Sequence, residues 1–566
     1  MTHKIRAASG GKVLSFEQNG EFYLRSGMTK LDKNDLLGAM ASYRTALEKD
    51  PENPEVILAI AEILTAMQRY DESNRLLMSV FSTDERPGTA FFGMGCNFMA
   101  QREYEQARMS FDKYLELEPD GEFAYSAYDM AEAIDDGSAQ SFGGEQDIIR
   151  ERAELARRMM EQEDFSGAIE SLEKLVEEQP ERTLPRNYLA LAYYCVRDYD
   201  RATEQVGEVL RRDPSDIQAH CNLAVFMRGA RDDLGLKRQV EYLKSLHPED
   251  IDELNHLGVT LMEVREFEAA LPIFKKIQQS RPYEAGVLHR LALCHYFTED
   301  YSAAVKLYDK LLQIDKQDSI AAYYRRACRS AERGEKRQMG LVLNYQVPPE
   351  EIVQRIRRLN DYIHSPREEL AKLWHRGSEL QTLAKWGLTL PDVSVKRAML
   401  SFIASFSDRA AEEILRDFAL QRQHGIDIKR DAFALLKNMG AKEPYLSYVN
   451  GELMESRVSL VPVLPKDMPR AYGEILESCL TYMRGIRDND CMAAAVKLWT
   501  AYVEGLTGYR PLSRGQVLGL AAAIEYAACR KQGIEVTKWE LCSKYGISVT
   551  RFNNALAKLG RQEEEK

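Results

Sequence analysis

The sequence predicts an all-α protein: a superhelical solenoid of stacked helix pairs, then irregular helices, then a small C-terminal helical bundle. Three observations carry that expectation. Small residues recur every 34 positions, each followed at fixed offsets by large apolar residues. Proline recurs between these units, twelve residues after the anchors. The 566 residues, 45% hydrophobic and 29% charged, have the balance of a folded chain and are too many for one core.

The period is read most plainly between residues 150 and 330. Ala168, Ala202, Leu236, Ala270 and Ala304 stand 34 residues apart, Leu236 being the one larger member. Four positions on come Leu172, Val206, Val240, Phe274 and Tyr308, and three beyond those Leu175, Val209, Leu243, Ile277 and Leu311. Pro180, Pro214, Pro248 and Pro282 follow, with Lys316 breaking the series. Twelve residues before each anchor lies Ala156, Ala190, Ala224, Gly258 or Ala292. Two helices approach closely only where a small residue faces a larger one, and proline ends the second helix because it cannot continue the ladder. One such pair cannot bury its apolar face alone, so neighbours must stack. The pattern resembles the tetratricopeptide repeat family, in segments such as "LALAYYCVRDYDRATEQVGEVLRRDPSD" and "LALCHYFTEDYSAAVKLYDKLLQID".

Ala39, Ser73 and Ala107 extend the pattern towards the N-terminus, with Pro51 and Pro119 in register. The 61 residues from Ala107 to Ala168 fall short of two periods, and "DDGSAQSFGGEQD" within them has loop composition. The expected organisation is an N-terminal extension at 1–30, a first repeat block at 31–133, a hinge loop at 134–147 and a second block at 148–345. A helical extension at 346–460 and a bundle at 461–566 complete it.

The resemblance implies binding of a protein or peptide along a concave face built from the first helix of each pair. Counting from the anchors, the partner-binding candidates are Asn187, Tyr194, Asn222, Asn255, His256, His289, Arg290 and Tyr296. Asn and Arg can hydrogen-bond an extended backbone or a carboxylate. Of the Lys/Asn/Asn/Lys/Arg set used by carboxylate-clamp members of the family, only Asn222 and Arg290 stand at matching positions.

Beyond Pro348 the 34-residue register is lost while helical spacing continues. "DVSVKRAMLSFIASF" and "DIKRDAFALLKNMG" begin 35 residues apart and resemble HEAT-like helix pairs; an irregular extension of the solenoid is the alternative. Pro462, Pro465 and Pro469 mark a linker. In "TKWELCSKYGISVTRFNNALAKL", Gly546 stands at a tight turn between two amphipathic helices. This spacing is helix-turn-helix-like, and with the preceding "LGLAAAIEYAACRKQG" it resembles the end of a cyclin-like repeat of general transcription factor B. Used on DNA, that segment would offer Thr550, Arg551, Asn553, Asn554 and Lys558 to the groove, with Lys538, Lys544 and Arg561 at phosphates.

Charge supports both possibilities. The chain carries a net −12, yet residues 510–561 hold nine Lys or Arg against three Glu. No CxxC, HExxH, GxGxxG, GxSxG or GxxxxGK[ST] occurs, and the nine histidines and nine cysteines are scattered. The sequence therefore gives no catalytic residue, metal site, cofactor or small-molecule substrate, and no membrane partner. With neither a secretory leader nor an apolar run approaching 18 residues, the expected setting is the cytoplasm. The expected function is that of a protein-binding scaffold; the alternative is a transcriptional regulator with a repeat sensor and a DNA-contacting end.

Overall fold

The computed structural model describes residues 19–560, except 52, 82–87, 139–144, 162–163, 336–338, 376–377, 450–451, 458–467, 485, 488 and 507. Residues 1–18 of the expected extension, the core of the expected hinge, Pro462, Pro465 and Arg561 lie outside the described residues. The chain divides into two compact units, one of residues up to 77 with 86–353, the other of 78–85 with 354–566.

The first unit is a series of helix pairs joined by short turns. The pairs begin with Gly20–Leu31 and Leu36–Lys49, so the N-terminal extension expected up to residue 30 already contains a repeat helix. Next come Pro54–Ala66 with Tyr70–Val80, then Gly88–Ala100 with Tyr104–Leu117, and the single helix Ala124–Asp135. Glu145–Glu161 opens the second block, so the loop expected at 134–147 is helical at both margins. The pairs then run Glu145–Glu161 with Phe165–Glu178, Thr183–Cys195 with Tyr199–Arg212, and Ile217–Gly229 with Asp233–Ser245. Ile251–Glu263 with Phe267–Ser280, Ala285–Phe297 with Tyr301–Ile314, and the single helix Ser319–Glu332 end the series.

The anchors explain why these pairs close. Ala39, Ala107, Ala168, Ala202, Ala270 and Ala304 are wholly buried, as are Phe111, Leu172, Phe274 and Tyr308 four residues on. Opposite them the first helix must be small: a Cβ added to Gly95 would lie 2.4 Å from Phe111 Cε1. Ser73 keeps the small volume and satisfies its hydroxyl by donating to the Ala61 carbonyl at 2.9 Å.

The turn inside each pair repeats with the same period. Asn34, Gln68, Arg102, Arg197, Arg231, Arg265 and Glu299 all have φ between 59° and 68°, the left-handed region. Each lets the next residue's N–H reach back to close the first helix, as Asp198 N–H does to Tyr193 O at 2.9 Å. That next residue often caps the second helix: Asp35, Asp164, Asp198, Asp232 and Asp300 accept from the N–H three residues on. One contact is not a nearest-neighbour one. Ile314 shares an apolar cluster with Leu24, Met40, Tyr43 and Ile60, so the first pair of the first block packs on the last pair of the second.

The second unit is reached through Pro349–Ile363 and holds helices Arg367–Leu373, Glu379–Gly387, Val393–Ala404, Arg409–Leu420 and Ile426–Met439. Arg397 Nε donates to Asp431 Oδ2 at 2.7 Å, tying the third of these to the fifth. The extension is not purely helical, as the sequence led us to expect. Tyr445–Val449 and Glu452–Ser456 form an antiparallel hairpin with Tyr445 opposite Ser456 and Val449 opposite Glu452. The aromatic and branched residues of "YLSYV" favour a strand, and burial of this strand against Arg409–Leu420 supplies what a lone hairpin lacks. Arg470–Met483, Asn489–Glu504, Arg514–Lys531, Lys538–Tyr545 and Val549–Gly560 then share one apolar cluster.

The left-handed turns carry side chains where glycine would be unstrained. Arg231→Gly is therefore expected to stabilise the full chain by about 0.5–1 kcal/mol, read as a rise in the urea midpoint.

Candidate functional site

The residues predicted on the first helices of the second block differ in burial. Tyr194, Asn255, His256 and Arg290 are half-buried. Tyr194 stacks on Phe226 with centroids 4.6 Å apart. Arg290 Nη1 donates to Asn255 Oδ1 at 2.9 Å, while its Nε has no hydrogen-bond partner among the described residues. Burial lowers the pKa of Arg290 and also that of His256, where neighbouring Asp252 and Glu154 oppose the shift.

Four candidates, Asn187, Asn222, Tyr296 and His289, correct the sequence reading because they are interior. Asn187 is 1% exposed; its Nδ2 donates to Asp216 Oδ1 at 3.0 Å, and its carbonyl accepts from Asn222 Nδ2 at 3.0 Å. Asp216 caps the next first helix, so Asn187 and Asn222 bind repeat to repeat. Tyr296 is buried among Phe297 and Tyr301. His289 is fully buried, with Nδ1 2.9 Å from Tyr308 Oη and Nε2 2.8 Å from the Val342 carbonyl.

That carbonyl belongs to a segment the sequence reading placed in the second block without assigning it a shape. The 34-residue register puts a small position at 326 and an anchor at 338, where Arg326 and Gln338 stand. Arg326 is exposed, and no second helix covers Ser319–Glu332 among the described residues. Gly334, at φ +76°, turns the chain, and residues 339–347 lie against the first helices without helix instead, bent at Asn344–Gln346, where Gln346 N–H donates to the Asn344 carbonyl at 2.8 Å. Tyr324 Oη donates to the Gln346 carbonyl at 2.8 Å, and Tyr345 Oη to Asp318 Oδ2 at 2.6 Å. The backbone of Met339 hydrogen-bonds Tyr296. Met339 and Val347 are buried and Leu341, Val342, Leu343 and Tyr345 partly so, whereas Gly340, Asn344 and Gln346 are exposed.

At the C-terminal end, Gly546 at φ +62° joins Lys538–Tyr545 to Val549–Gly560, and Ser548 Oγ accepts from Arg551 N–H at 3.3 Å. Thr550, Asn553, Asn554, Lys558 and Lys538 are exposed, with Lys538 Nζ 3.4 Å from Asn553 Oδ1. Arg551 is exposed too, yet its guanidinium lies along the neighbouring helix: a Cβ on Gly515 would meet Arg551 Nη1 at 2.5 Å. Lys544 corrects the reading of it as a phosphate contact. Its Nζ lies 2.7 and 3.0 Å from the two carboxylate oxygens of Glu525, which is wholly buried. Arg487 Nε at 3.1 Å and Tyr545 Oη at 2.7 Å complete that carboxylate's shell. A buried carboxylate demands cations, and Lys544 is one of them.

Among the described residues no cluster of His, Cys, Asp or Glu could hold a metal ion, and no helix is long and apolar enough to cross a membrane. Tetratricopeptide repeat family models match residues 30–85, 89–121, 154–217 and 287–322. The chain is 26% identical over 283 residues to the TPR repeat-containing protein YvcD of Bacillus subtilis, covering 49% of this chain and 58% of YvcD. It is 27% identical over 142 residues to the BBSome complex member BBS4 of Bos taurus, covering 25% of this chain and 27% of BBS4. The chain thus spans less than two thirds of either relative. A tetratricopeptide repeat protein structure from Parabacteroides merdae overlaps 55% of this chain and 99% of its own at 15% identity, with a TM-score of 0.26. The chain carries tetratricopeptide repeats in an all-α solenoid.

Two outcomes follow. Burial pushes the His289 pKa from its ordinary 6.5 down to about 4. The unfolded chain then takes up this proton first as pH falls. The stability from neutral His289 is whole above pH 6.5 and is lost progressively towards pH 4, in total about 3 kcal/mol. In His289→Gln the difference in unfolding free energy between pH 7 and pH 4 should shrink by about that amount. Glu525→Ala should cost about 3–5 kcal/mol by stranding Arg487 and Lys544, whereas Glu540→Ala at the exposed start of the next helix should cost less than about 1; thermal unfolding of both variants measures the contrast.

Proposed function

We propose that this chain is a protein-interaction scaffold whose solenoid grips an extended segment of a partner along the first helices of the pairs between Thr183 and Glu332. The observation that supports it is the seating of residues 339–347, a non-helical stretch of chain held by side chains of the first helices. Tyr194, the Arg290–Asn255 pair and half-buried His256 lie on first helices of the same block. The Arg290 guanidinium is a charged donor of the kind that a peptide carbonyl or carboxylate accepts from. The relatives fit this reading: BBS4 is by its name a member of a complex. No step of chemistry is assigned to the chain.

The test is a selection of random 12-residue peptides against the full chain, with binders measured again on variants. Arg290→Ala and Asn255→Ala should each weaken the selected peptides at least tenfold, while Thr550→Ala and Asn554→Ala leave them unchanged. Binders indifferent to the groove substitutions would remove the reading. Salt-dependent binding of duplex DNA that is lost in Asn554→Ala would replace it with that of a DNA-contacting regulator.

A further inference from the structure

Where a sixth pair should place its second helix, the chain places a non-helical segment. Helix Ser319–Glu332 ends at Arg333, and Gly334 N–H and Glu335 N–H bond back to Ala331 O at 2.9 Å and Ser330 O at 3.0 Å. The stretch that follows is long enough for another helix. Arg326 occupies the small position that a partner helix needs, so a helix could not approach closely there. The segment packs by a different rule. Met339, Leu341, Leu343 and Tyr345 pack on the apolar cluster of the solenoid.

Its contacts are those of a bound peptide. Tyr296, His289 and Tyr324 address its backbone, at Met339, Val342 and Gln346. Backbone contacts of this kind are indifferent to sequence, so selectivity comes from side chains at alternate positions. The one side-chain hydrogen bond of the segment to the solenoid among those described here is Tyr345 Oη to Asp318 Oδ2 at 2.6 Å. Asp318 is fixed for that task because Oδ1 of the same carboxylate caps Ile320 N–H and Ala321 N–H, both at 2.9 Å. The floor of the seat stands without the segment: Tyr324 stacks on Tyr308 at 5.5 Å, and Tyr308 Oη holds His289 Nδ1.

We propose that residues 339–347 are a resident ligand of the solenoid, and that a partner segment enters the last stretch of the groove by displacing them. The partner is a protein segment with apolar side chains that fill the places of Met339, Leu341 and Leu343 and a tyrosine that reaches Asp318. The inference rests on the reading of the groove as a peptide site. Tethering makes the resident a strong competitor: a few linking residues give it an effective concentration in the millimolar range. An incoming segment must exceed that, so the resident sets an affinity threshold on this end of the groove.

The experiment uses the full chain and a fluorescein-labelled peptide of residues 338–348, QMGLVLNYQVP, followed by anisotropy. In the chain carrying Leu343→Ser and Tyr345→Ala the resident is weakened, and the peptide should bind at least tenfold tighter than to the unaltered chain. Adding Tyr324→Phe and Asp318→Asn to that variant should return binding to the unaltered level. A folded Leu343→Ser/Tyr345→Ala chain that binds no tighter would show a permanent cap and overturn the proposal. Peptides dependent on Asn255 and Arg290 would still stand, so the two failures are distinct. Hydrogen exchange on the unaltered chain gives a second measure that needs no variant. Amides of 340–347 should exchange faster than those of Ser319–Glu332, and equal protection of the two would equally overturn it.

Discussion

Every helix pair in the first unit depends on one constraint, that a small residue on one helix must meet a large one on the next. Ala190, Ala224, Gly258 and Ala292 on the first helices leave room for Val206, Val240, Phe274 and Tyr308 on the second. Because the interior is close-packed, an extra methylene at the small position cannot be absorbed by neighbours. The left-handed turn residue and the aspartate after it are consequences of the same constraint. The turn must reverse the chain within three or four residues so that the two helices meet in register. Seven described turns do so with a residue other than glycine, which shows that packing outweighs a local backbone cost of about 1 kcal/mol each.

The constraint also explains where the repeat stops. Arg326 cannot be the small partner, and its exposure shows that nothing is packed there in the described structure. The chain after Gly334 still covers apolar surface on Ala285–Phe297 and Ser319–Glu332, with Met339, Leu341, Leu343 and Tyr345 packed against it. His289 and Tyr324 then find carbonyl partners that solvent would otherwise have supplied. The end of the array and the occupation of its groove are one event.

Buried polar groups show a second theme in the bundle. Glu525 is wholly enclosed and is matched by Arg487, Lys544 and Tyr545 from two other segments. In the sequence Lys544 is one basic residue in a basic stretch, and nothing near it signals a carboxylate nineteen positions away on a preceding helix. The same limit applies to Asn187: its type suits a groove, but its neighbour Asp216 makes it a joint between repeats.

The sequence by itself determined the repeat length, the anchors, the order of the helices in both blocks and the inward residues Leu541, Phe552 and Ala555 of the final turn, because each follows from local periodicity. Only the tertiary structure decided which of the predicted groove residues are interior, that Ile314 packs on the first helix pair, that the buried Tyr445–Val449 strand forms a hairpin, and that residues 339–347 pack on the solenoid. Those outcomes rest on contacts between residues far apart in sequence. Such contacts are set by which surfaces remain uncovered once the local elements have formed, and no periodicity within one segment records that.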